Sequence, residues 1–576
     1  MAASVDAAEL SPLVNQILVG RGYQTRASQQ AFLNPDYMAT NYDPFLLTGM
    51  KQLVERLQTA RVKGERITIY CDYDVDGTTA CAVLLDALPR FGLTVDYYVP
   101  DRFSEGYGLN KTALKQLKER GTDIVLTVDN GIVSFDEATY AVELGLDLLI
   151  TDHHSPRDDN PTAMAVVDPK IALRDKPDAF NEHFCLTNKR LKKIYPFLDL
   201  CGCGVAFKLV QALQQIWPDD LPVGQEKWLL DLVAIATVSD IVSLVDENRA
   251  IVRWGIEVIK KTRRPGLRAL VAVAGVELGN IDSRAIGFML GPRLNAAGRL
   301  VNAKLAIELL SATDNQRALE LATELNDLNN QRKSLQNQIY ELAISQVKTD
   351  EPVAIAMGDG WHEGVVGIVA SKVQEKTEKP TFIFSRSADG KMLKASGRSF
   401  GDFSIAAAIN ATSTLLERGG GHAAAGGITV TAANFDAWRQ AVNDYYRSLK
   451  LTNQLQYLYP KPDVEVSNLG ELTPQIVQDM ALLEPFGEAN PVPTFLLKNV
   501  IVSERRLMGN DLQHVRYTFT DDNGNRLQAV AFNAADRFTL EPSETADQRA
   551  DVLVELSLND WNGSVSVQGK LIRFLA

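Results

Sequence analysis

Ile67-Thr68-Ile69-Tyr70-Cys71-Asp72-Tyr73-Asp74-Val75-Asp76-Gly77-Thr78-Thr79 is the stretch on which the reading of this chain turns. Its first four residues read as a buried strand, its last two open a helix, and three carboxylates stand between them. Aspartates at the carboxyl end of a strand, closed by a glycine that permits a tight strand-to-helix turn, point acids into the crevice where open α/β sheets bind ligands. Acids so close repel one another. A divalent cation that prefers hard oxygen ligands, magnesium or manganese, relieves the repulsion. The competing reading is an acidic turn that is simply solvated, and this stretch alone does not decide between them.

Repetition decides. Residues 66 to 170 alternate strand and helix, which predicts a parallel sheet with helices on both faces: strands at 67–70, 95–99, 124–128, 148–151 and 165–167, helices near 78–90, 110–120 and 134–144. Four of these strands run into aspartate: Asp72 to Asp76, then Asp129, Asp152 and Asp168. A parallel sheet puts those ends on one edge. There His153 and His154, two of only six histidines, add nitrogen donors that a solvated turn does not need. A strand-end histidine is more often structural than ligating, but sharing a rim with two aspartate clusters reverses that balance. After a basic stretch carrying Lys189, Arg190, Lys192 and Lys193, apolar helices are predicted near 203–217 and 226–238, the second closed by Asp240. The macrodipole disfavours an acid there, and supplying a further metal ligand gives Asp240 its reason.

The whole chain, at 576 residues, implies about three or four domains. No run of eighteen apolar residues and no charged-then-apolar leader is found, so neither a membrane span nor export is expected and the cytoplasm is the default. Five cysteines, Cys71, Cys81, Cys185, Cys201 and Cys203, are odd in number and lack a CxxC pair, which predicts reduced thiols. The net charge of -13 does not advertise a nucleic-acid binder. It leaves room for a local basic groove, and Arg284, Arg293, Arg299, Arg332, Lys333, Arg386, Lys391, Lys394 and Arg398 all fall in one central span.

Residues 1–60 read as a helical arm, interrupted by Pro35 and Pro44, that packs against the first domain. Between 301 and 348, Leu321, Leu325, Leu328, Leu335, Ile339 and Leu342 keep a 3–4 spacing broken by Arg332. About thirty residues would make a helix about 45 Å long; a coiled-coil dimer competes, and the short, charged seam favours an intramolecular strut. From 352 to 449 a second α/β alternation carries Gly358 to Gly364, Ser396 to Ser399 and Gly419 to His422, read as glycine-rich turns at helix starts whose N–H groups suit phosphate. From 463 onward, short strands at 494–502, 515–520, 528–532, 552–556 and 564–568 with turns at 521–524 and 559–563 fit an OB barrel. Tyr517, Phe519, Arg505, Arg506 and Arg516 are its candidates for stacking and phosphate contact, although strand aromatics are more often core than platform.

The motifs DYDVDG at 72–77, VDNG at 128–131, DHHS at 152–155 and ATVSDIV at 236–242 resemble the four metal motifs of the DHH phosphoesterase superfamily, in order. DRFSEGYGL at 101–109, GPRLNAAGR at 291–299, GWHEGVVGIVASK at 360–372, KASGRS at 394–399 and GGGHAAAGG at 419–427 narrow the resemblance to the RecJ family, over nearly the whole chain. It implies an α/β protein: a parallel-sheet DHH domain at 61–300, a connecting helix at 301–350, a smaller α/β DHH-associated domain at 351–450 and a C-terminal OB-like β-barrel at 460–576. It implies a 5′-to-3′ exonuclease specific for single-stranded DNA, using two Mn2+ or Mg2+ ions, releasing mononucleotides, and working in recombination and repair beside a single-strand-binding protein and a helicase. No membrane is involved, and the strut reading favours a monomer.

Within that resemblance Asp74, Asp76, Asp129, His153 and Asp240 are the expected ligands, with Asp129 bridging both ions, Asp72 an additional ligand, and His154 either supporting the ligands from behind or donating to the phosphate. Many family members carry a histidine upstream of the first aspartate pair, where this chain has Tyr70 and Asp72. Arg293 and Arg299 are expected on the nucleic-acid path, as are Arg398 and His422 by carry-over; Arg102, Ser396 and Arg398 are read as a pocket for a terminal 5′ phosphate. Two rivals remain. A phosphodiesterase of short oligonucleotides, cyclic dinucleotides or pyrophosphate does not need the OB-like tail. A non-catalytic single-strand-binding scaffold would have lost some of the acids and histidines that are all present here.

Overall fold

The structure, a computed structural model, describes residues 9–177, 194–451, 461–542, 549–561 and 564–575. Cys185, the basic residues Lys189 to Lys193 and the Asn562-Gly563 tip of the last expected hairpin lie outside the described residues.

Strand β1 (Arg66–Cys71) is buried along its length after Arg66, because both faces of the sheet are covered. Ile67, Ile69 and Cys71 enter one apolar core and Tyr70 enters another on the opposite face, as a period of two dictates. With β2 (Thr94–Tyr98), β3 (Ile124–Val128), β4 (Asp147–Thr151) and β5 (Ala165–Val167) it forms a five-stranded, wholly parallel sheet in the order β2-β1-β3-β4-β5. The order reverses between β1 and β3. In open α/β sheets that switch point, at the carboxyl ends of the strands, is where the connecting helices diverge and leave a crevice. Helices Gly202–Ile216 and Leu230–Ser239 close the sheet on the face that holds the larger core.

Helix Asn315–Ile344, 30 residues long, is the expected strut. Ala318, Leu321, Ala322 and Leu325 belong to the core of the first domain, whereas Ile339 and Ala343 belong to a core with helix Glu363–Thr377 in the next. Arg332, which broke the apolar spacing, is buried between the two and satisfied within its own helix, donating to Asn329 Oδ1 at 2.8 and 3.1 Å and to Gln336 Oε1 at 2.9 Å.

The second domain is a five-stranded mixed sheet, β6 (Ala354–Asp359), β7 (Thr381–Arg386), β8 (Met392–Arg398), β9 (Arg418–Gly421) and β10 (Ala425–Thr431), in the order β6-β7-β8-β10-β9. This corrects the reading of two glycine runs. Ser396-Gly397-Arg398 ends β8 and Gly419-Gly420-Gly421 lies in β9, antiparallel to Gly426-Gly427-Ile428 of β10. Their glycines serve strand packing: a Cβ on Gly397 would sit 2.7 Å from the Phe382 ring, and one on Gly426 would sit 2.8 Å from Ile405.

The third domain is a barrel with β11 (Val464–Val466) appended: β12 (Thr494–Met508), β13 (His514–Thr520), β14 (Arg526–Ala531), β15 (Arg549–Trp561) and β16 (Ser564–Leu575). Pairing runs β12-β13-β14-β16-β15, with β14 and β16 parallel, and closes through β12–β15, the five-stranded closure of an OB fold. Bulges at Val502/Glu504 and Leu497/Val500 carry β12 through two pairings, so it runs six residues beyond the stretch its alternation marks. Tyr517 and Phe519 are fully buried in the barrel, stacked on each other at 5.9 Å, and cannot be base platforms. Arg505 is tied to Tyr517 Oη, the Phe538 carbonyl and Glu541, whereas Arg506 stands exposed opposite Arg516 in register.

The amino-terminal arm divides. Val14, Ile17, Leu18, Phe32 and Leu33 enter the core of the barrel domain, and Arg21 clamps Asp463 (2.8 Å) and Asn490 (2.7 Å) there. Only from Tyr37 onward do its apolar side chains join the core of the first domain; before that, Phe32 and Pro35 meet it through Arg249 and Trp254, contrary to the expectation for the arm as a whole. A short amphipathic helix shows that it needs an apolar surface and does not show which one.

Candidate metal centre

Helix Val75–Ala87 starts three residues earlier than its sequence suggests, so the acids are part of its amino terminus rather than a loop before it. Asp74 is its N-cap, with Oδ1 accepting from the N–H of Asp76 at 2.8 Å and Gly77 at 3.2 Å. Gly77 is therefore helical, and the tight-turn reading gives way to a packing one: a Cβ there would lie 2.7 Å from the Asp72 backbone. Asp76, buried in the first turn, accepts from the N–H of Gly202 at 2.5 Å and of Cys203 at 2.8 Å. The positive end of helix Gly202–Ile216 is thus spent on a carboxylate.

Asp129 leaves β3 at φ 62°, a left-handed conformation that strains a residue with a side chain. Its N–H donates to the Thr151 carbonyl, and the Asn130 amide donates to the carbonyls of Tyr70 and Val128, which together hold the strained turn. His153 follows β4. Its Nε2 lies 3.2 Å from Asp129 Oδ1, 3.6 Å from Asp240 Oδ2 and 3.7 Å from Asp76 Oδ2. Ligands 2.1 Å from a six-coordinate ion are separated by roughly 3.0 Å along an edge, so these side chains surround a space of cation size. Asp72, Asp74 and Asp129 bring donor atoms within 4.8 Å of one another in a second group. Asp129 belongs to both groups.

A divalent cation fits these residues on three grounds. Asp72 Oδ1, Asp129 Oδ1 and His153 Nε2 are buried and lack any hydrogen-bond partner among the described residues. Burial and mutual repulsion push Asp76 up to about 7 and Asp240 up to about 9, and raise Asp72 and Asp129 well above the carboxylate range. His153 goes the other way: burial and the charge of His154 lower it to about 3, while its other ring nitrogen bonds the Leu200 backbone, leaving the neutral Nε2 lone pair aimed at the acids.

His154 differs from its neighbour. Burial works against its charge, yet the Asp152 carboxylate, 2.7 Å from Nδ1, overrides that with help from Asp240 and Asp76 and holds His154 up at about 9. Asp152 itself accepts from the N–H of Ile132 at 2.9 Å and so supports the rim rather than joining either group. Lys170 adds a strut unmarked in the sequence, its Nζ donating to the His153 carbonyl at 2.6 Å.

Both groups open on a cavity of about 240 Å³ shared with Tyr107, Asn295, Arg102 and Arg299. Arg102 stacks over the Tyr73 ring at 4.9 Å, and Arg299 donates to the Gly364 carbonyl of the second domain at 3.2 Å. Burial, with the charges of Arg102 and Arg332, lowers Arg299 to about 10; Arg398 adds to this field from β8, where Ser371 and the Gly397 carbonyl orient it. Ser396 lines another groove, on the second domain, with Lys394 and Arg418, and His422 is exposed past the end of β9. Arg293 does not join them. It is buried, its guanidinium held by Asn326 and the Met289 carbonyl, a helix pin that an arginine within a motif does not betray by sequence. Tyr107 and Asn295 lie inside quoted motifs and carried no separate signal. The described cysteines, Cys71, Cys81, Cys201 and Cys203, are free and buried.

Three family profiles match the chain: the DHH family N-terminal domain over residues 66–237, the DHHA1 domain over 350–448 and the RecJ OB domain over 463–573. The single-stranded-DNA-specific exonuclease RecJ of Bacillus subtilis is 36% identical over 96% of this chain, and the chain spans 66% of that relative's length. The Escherichia coli protein of the same name is 32% identical over 97% of this chain and 95% of its own. A crystal structure of RecJ in complex with Mn2+ from Thermus thermophilus superposes with a TM-score of 0.79 at 28% identity, covering 99% of this chain and 76% of that one. No helix among the described residues is long and apolar enough to cross a membrane.

Proposed function

This chain belongs to the RecJ family, and from that premise we propose that it is a metal-dependent exonuclease specific for single-stranded DNA that digests from the 5′ end and releases mononucleotides. The observation that carries the reading is the pair of donor groups sharing Asp129 at the mouth of a cavity walled by Arg102 and Arg299.

Asp76, His153 and Asp240 would hold one cation and Asp72, Asp74 and Asp129 the other, with Asp129 Oδ1 also 3.2 Å from His153 Nε2 and His154 at the edge of that carboxylate. Bound there, two Mn2+ or Mg2+ ions supply the charge that neutralises the phosphate and lowers the pKa of an attacking water. His154, kept cationic by Asp152, faces the cavity and donates to a phosphate oxygen. Arg102, Ser396 and Arg398 take the terminal 5′ phosphate, one nucleotide from the scissile bond. Water attacks the phosphorus of the diester that joins the first and second nucleotides, the bond from that phosphorus to the 3′ oxygen of the first nucleotide breaks, that oxygen takes up a proton, and the new phosphate stays on the second nucleotide as the next 5′ end. The strand beyond runs past Arg299 and His422 toward the barrel, whose exposed Arg506 and neighbouring Arg516 meet the backbone. The protein works as a monomer in the cytoplasm, in recombination and repair, beside a single-strand-binding protein and a repair helicase.

The test is digestion of single-stranded and blunt duplex DNA, labelled at either end, with Mn2+, Mg2+ or EDTA. Metal-dependent loss of a 5′ label from the single strand alone, abolished in Asp129→Ala, is expected. Activity confined to dinucleotides would replace the reading with a small-substrate phosphodiesterase. Arg398→Ala should erase the preference for 5′-phosphorylated ends, and an unchanged preference would remove Arg398 from the end pocket.

A further inference from the structure

Helix Gly291–Leu300 approaches the end of β1 so closely that a Cβ on Gly298 would lie 2.3 Å from the Tyr73 carbonyl oxygen. That approach presses Asn295, one turn earlier, against the start of helix Val75–Ala87. Asp74 Oδ1 satisfies the N–H groups of Asp76 and Gly77, and the N–H of Val75 goes to Asn295 Oδ1 at 3.2 Å. A backbone N–H can be met only by the oxygen of an amide, so this contact fixes which way the amide faces. The oxygen is turned to the helix and Nδ2 is turned away from it. Among the described residues Nδ2 meets no acceptor, and Asn295 lines the same cavity as Asp74, Asp129, Asp240 and His154.

We propose that Asn295 is a further catalytic residue, whose Nδ2 donates to a non-bridging oxygen of the scissile phosphate. The inference rests on the exonuclease reading and adds to it a neutral donor. Apart from the phenols of Tyr73, which lies under Arg102, and Tyr107, whose hydroxyl already meets the Asp129 carbonyl and the His154 ring, every other polar group named in that cavity either ligates a cation or carries charge. A carboxamide stabilises the negative charge that develops on the phosphate oxygens without repelling the cations beside it, and because its oxygen is already bound it need not reorganise as the charge builds. The bland alternative is that Asn295 only caps Val75. A carboxylate would do that equally well, as Asp74 does for the next two N–H groups.

Two substitutions separate these roles. Asn295→Ala removes donor and cap without adding charge, and Asn295→Asp removes the donor while keeping an acceptor for Val75, so only the lost donor is common to both. Turnover of single-stranded DNA and KM, Mn2+ affinity by calorimetry, and the thermal midpoint are measured on the full chain. Both variants should lose about 100-fold in kcat, with KM changed less and Mn2+ affinity of Asn295→Asp within threefold of wild type. Either variant turning over within threefold of wild type overturns the proposal. So does a fall in Mn2+ affinity that accounts for the loss, since Asn295 would then be supporting the ligands. A wild-type protein that fails to hydrolyse single strands defeats the functional reading itself, an outcome distinct from either.

Discussion

Gly202→Ala should disable the metal centre without touching a ligand. Gly202 donates to Asp76 and lies directly under Asp129, where an added Cβ would be 2.6 Å from the Asp129 Cβ, 2.9 Å from its Cα and 3.0 Å from its Cγ. Ordinary carbon contacts begin at 3.4 Å, so the helix start and the Asp129 turn must part by about 0.8 Å. Neither can give cheaply, because Asp129 is held in its strained turn by Thr151 and Asn130. Metal–ligand distances tolerate about 0.2 Å, and a misplacement of about 1 Å costs on the order of 100-fold in rate. We expect Mn2+ affinity to fall at least tenfold and single-strand digestion about 100-fold, at a stability cost of about 1–3 kcal/mol from overpacking. Calorimetric Mn2+ titration, end-label digestion and circular dichroism check this. Gly204→Ala is the control, since its Cβ would meet mainly the Leu200 side chain, at 3.3 Å, and should leave metal affinity within a few-fold. A folded Gly202→Ala protein with wild-type affinity and turnover would refute the claim that this close approach sets the site.

Other predictions follow from burial and charge. Asp76 and Asp240 have folded-state values of about 7 and about 9, above their unfolded ones, so the metal-free fold holds protons that the unfolded chain releases and must lose stability as pH rises through 7 to 9. Because Mn2+ displaces those protons, its stabilising shift in thermal midpoint should be larger at pH 9 than at pH 6; a shift independent of pH counts against the ligand assignment. Arg249 is buried between domains, stacked on Phe32 at 3.6 Å and donating to the carbonyls of Phe32, Leu483 and Glu484. Arg249→Ala strands these acceptors and should loosen the barrel domain from the first, read as faster hydrogen exchange around 483–484 and a lower melting temperature, with Mn2+ affinity unchanged. Tyr517→Ala should cost about 3–5 kcal/mol of stability, whereas Arg506→Ala should leave stability intact and flatten the salt dependence of single-strand binding. Reversed outcomes would return Tyr517 to the binding surface.

Legibility followed the range of the interactions. The strand ends could be read because an apolar run followed by acids is a local pattern, and the parallel topology then assembles distant acids on one rim. Asp240 stood out for a similar reason, an acid where the dipole opposes one, and the fold brings its Oδ2 to 3.6 Å from His153 Nε2. The glycines failed because three different causes leave the same letter: a helix packed on the Asp72 backbone at Gly77, strand against ring at Gly397, strand against the Ile409 side chain at Gly419. Which surface covers an amphipathic helix is likewise a long-range fact, and Val14 to Leu33 reach a barrel more than 400 positions away in the chain. Arg293 and Arg299 sit in one motif, six residues apart; one pins a helix and the other faces the cavity, a difference that only the packing of helix Asn315–Ile344 creates.

The balance of forces at the rim explains why the polypeptide alone does not complete it. Two helix amino termini are aimed at the acids, one capped by Asp74 and one donating to Asp76. A helix end contributes about 0.3–1 kcal/mol to a nearby carboxylate and up to about 2 in partly buried geometry. Two ionised carboxylates 4.8 Å apart, the outer limit within the Asp72, Asp74 and Asp129 group, repel by about 3.5 kcal/mol at an effective dielectric of 20. Three acids make three such pairs before Asp76 and Asp240 are added, so the repulsion exceeds what both helices return. The one nearby imidazole placed among the acids, His153, is held neutral, and the cationic one, His154, is committed to Asp152. The remaining choices are protons, which cost the site its lone pairs, or cations. The same reckoning sends phosphate binding away from the helix ends: with both occupied by aspartate, the substrate's charge falls to the cations, His154, the arginines of the facing wall and, on the proposal above, the Asn295 amide.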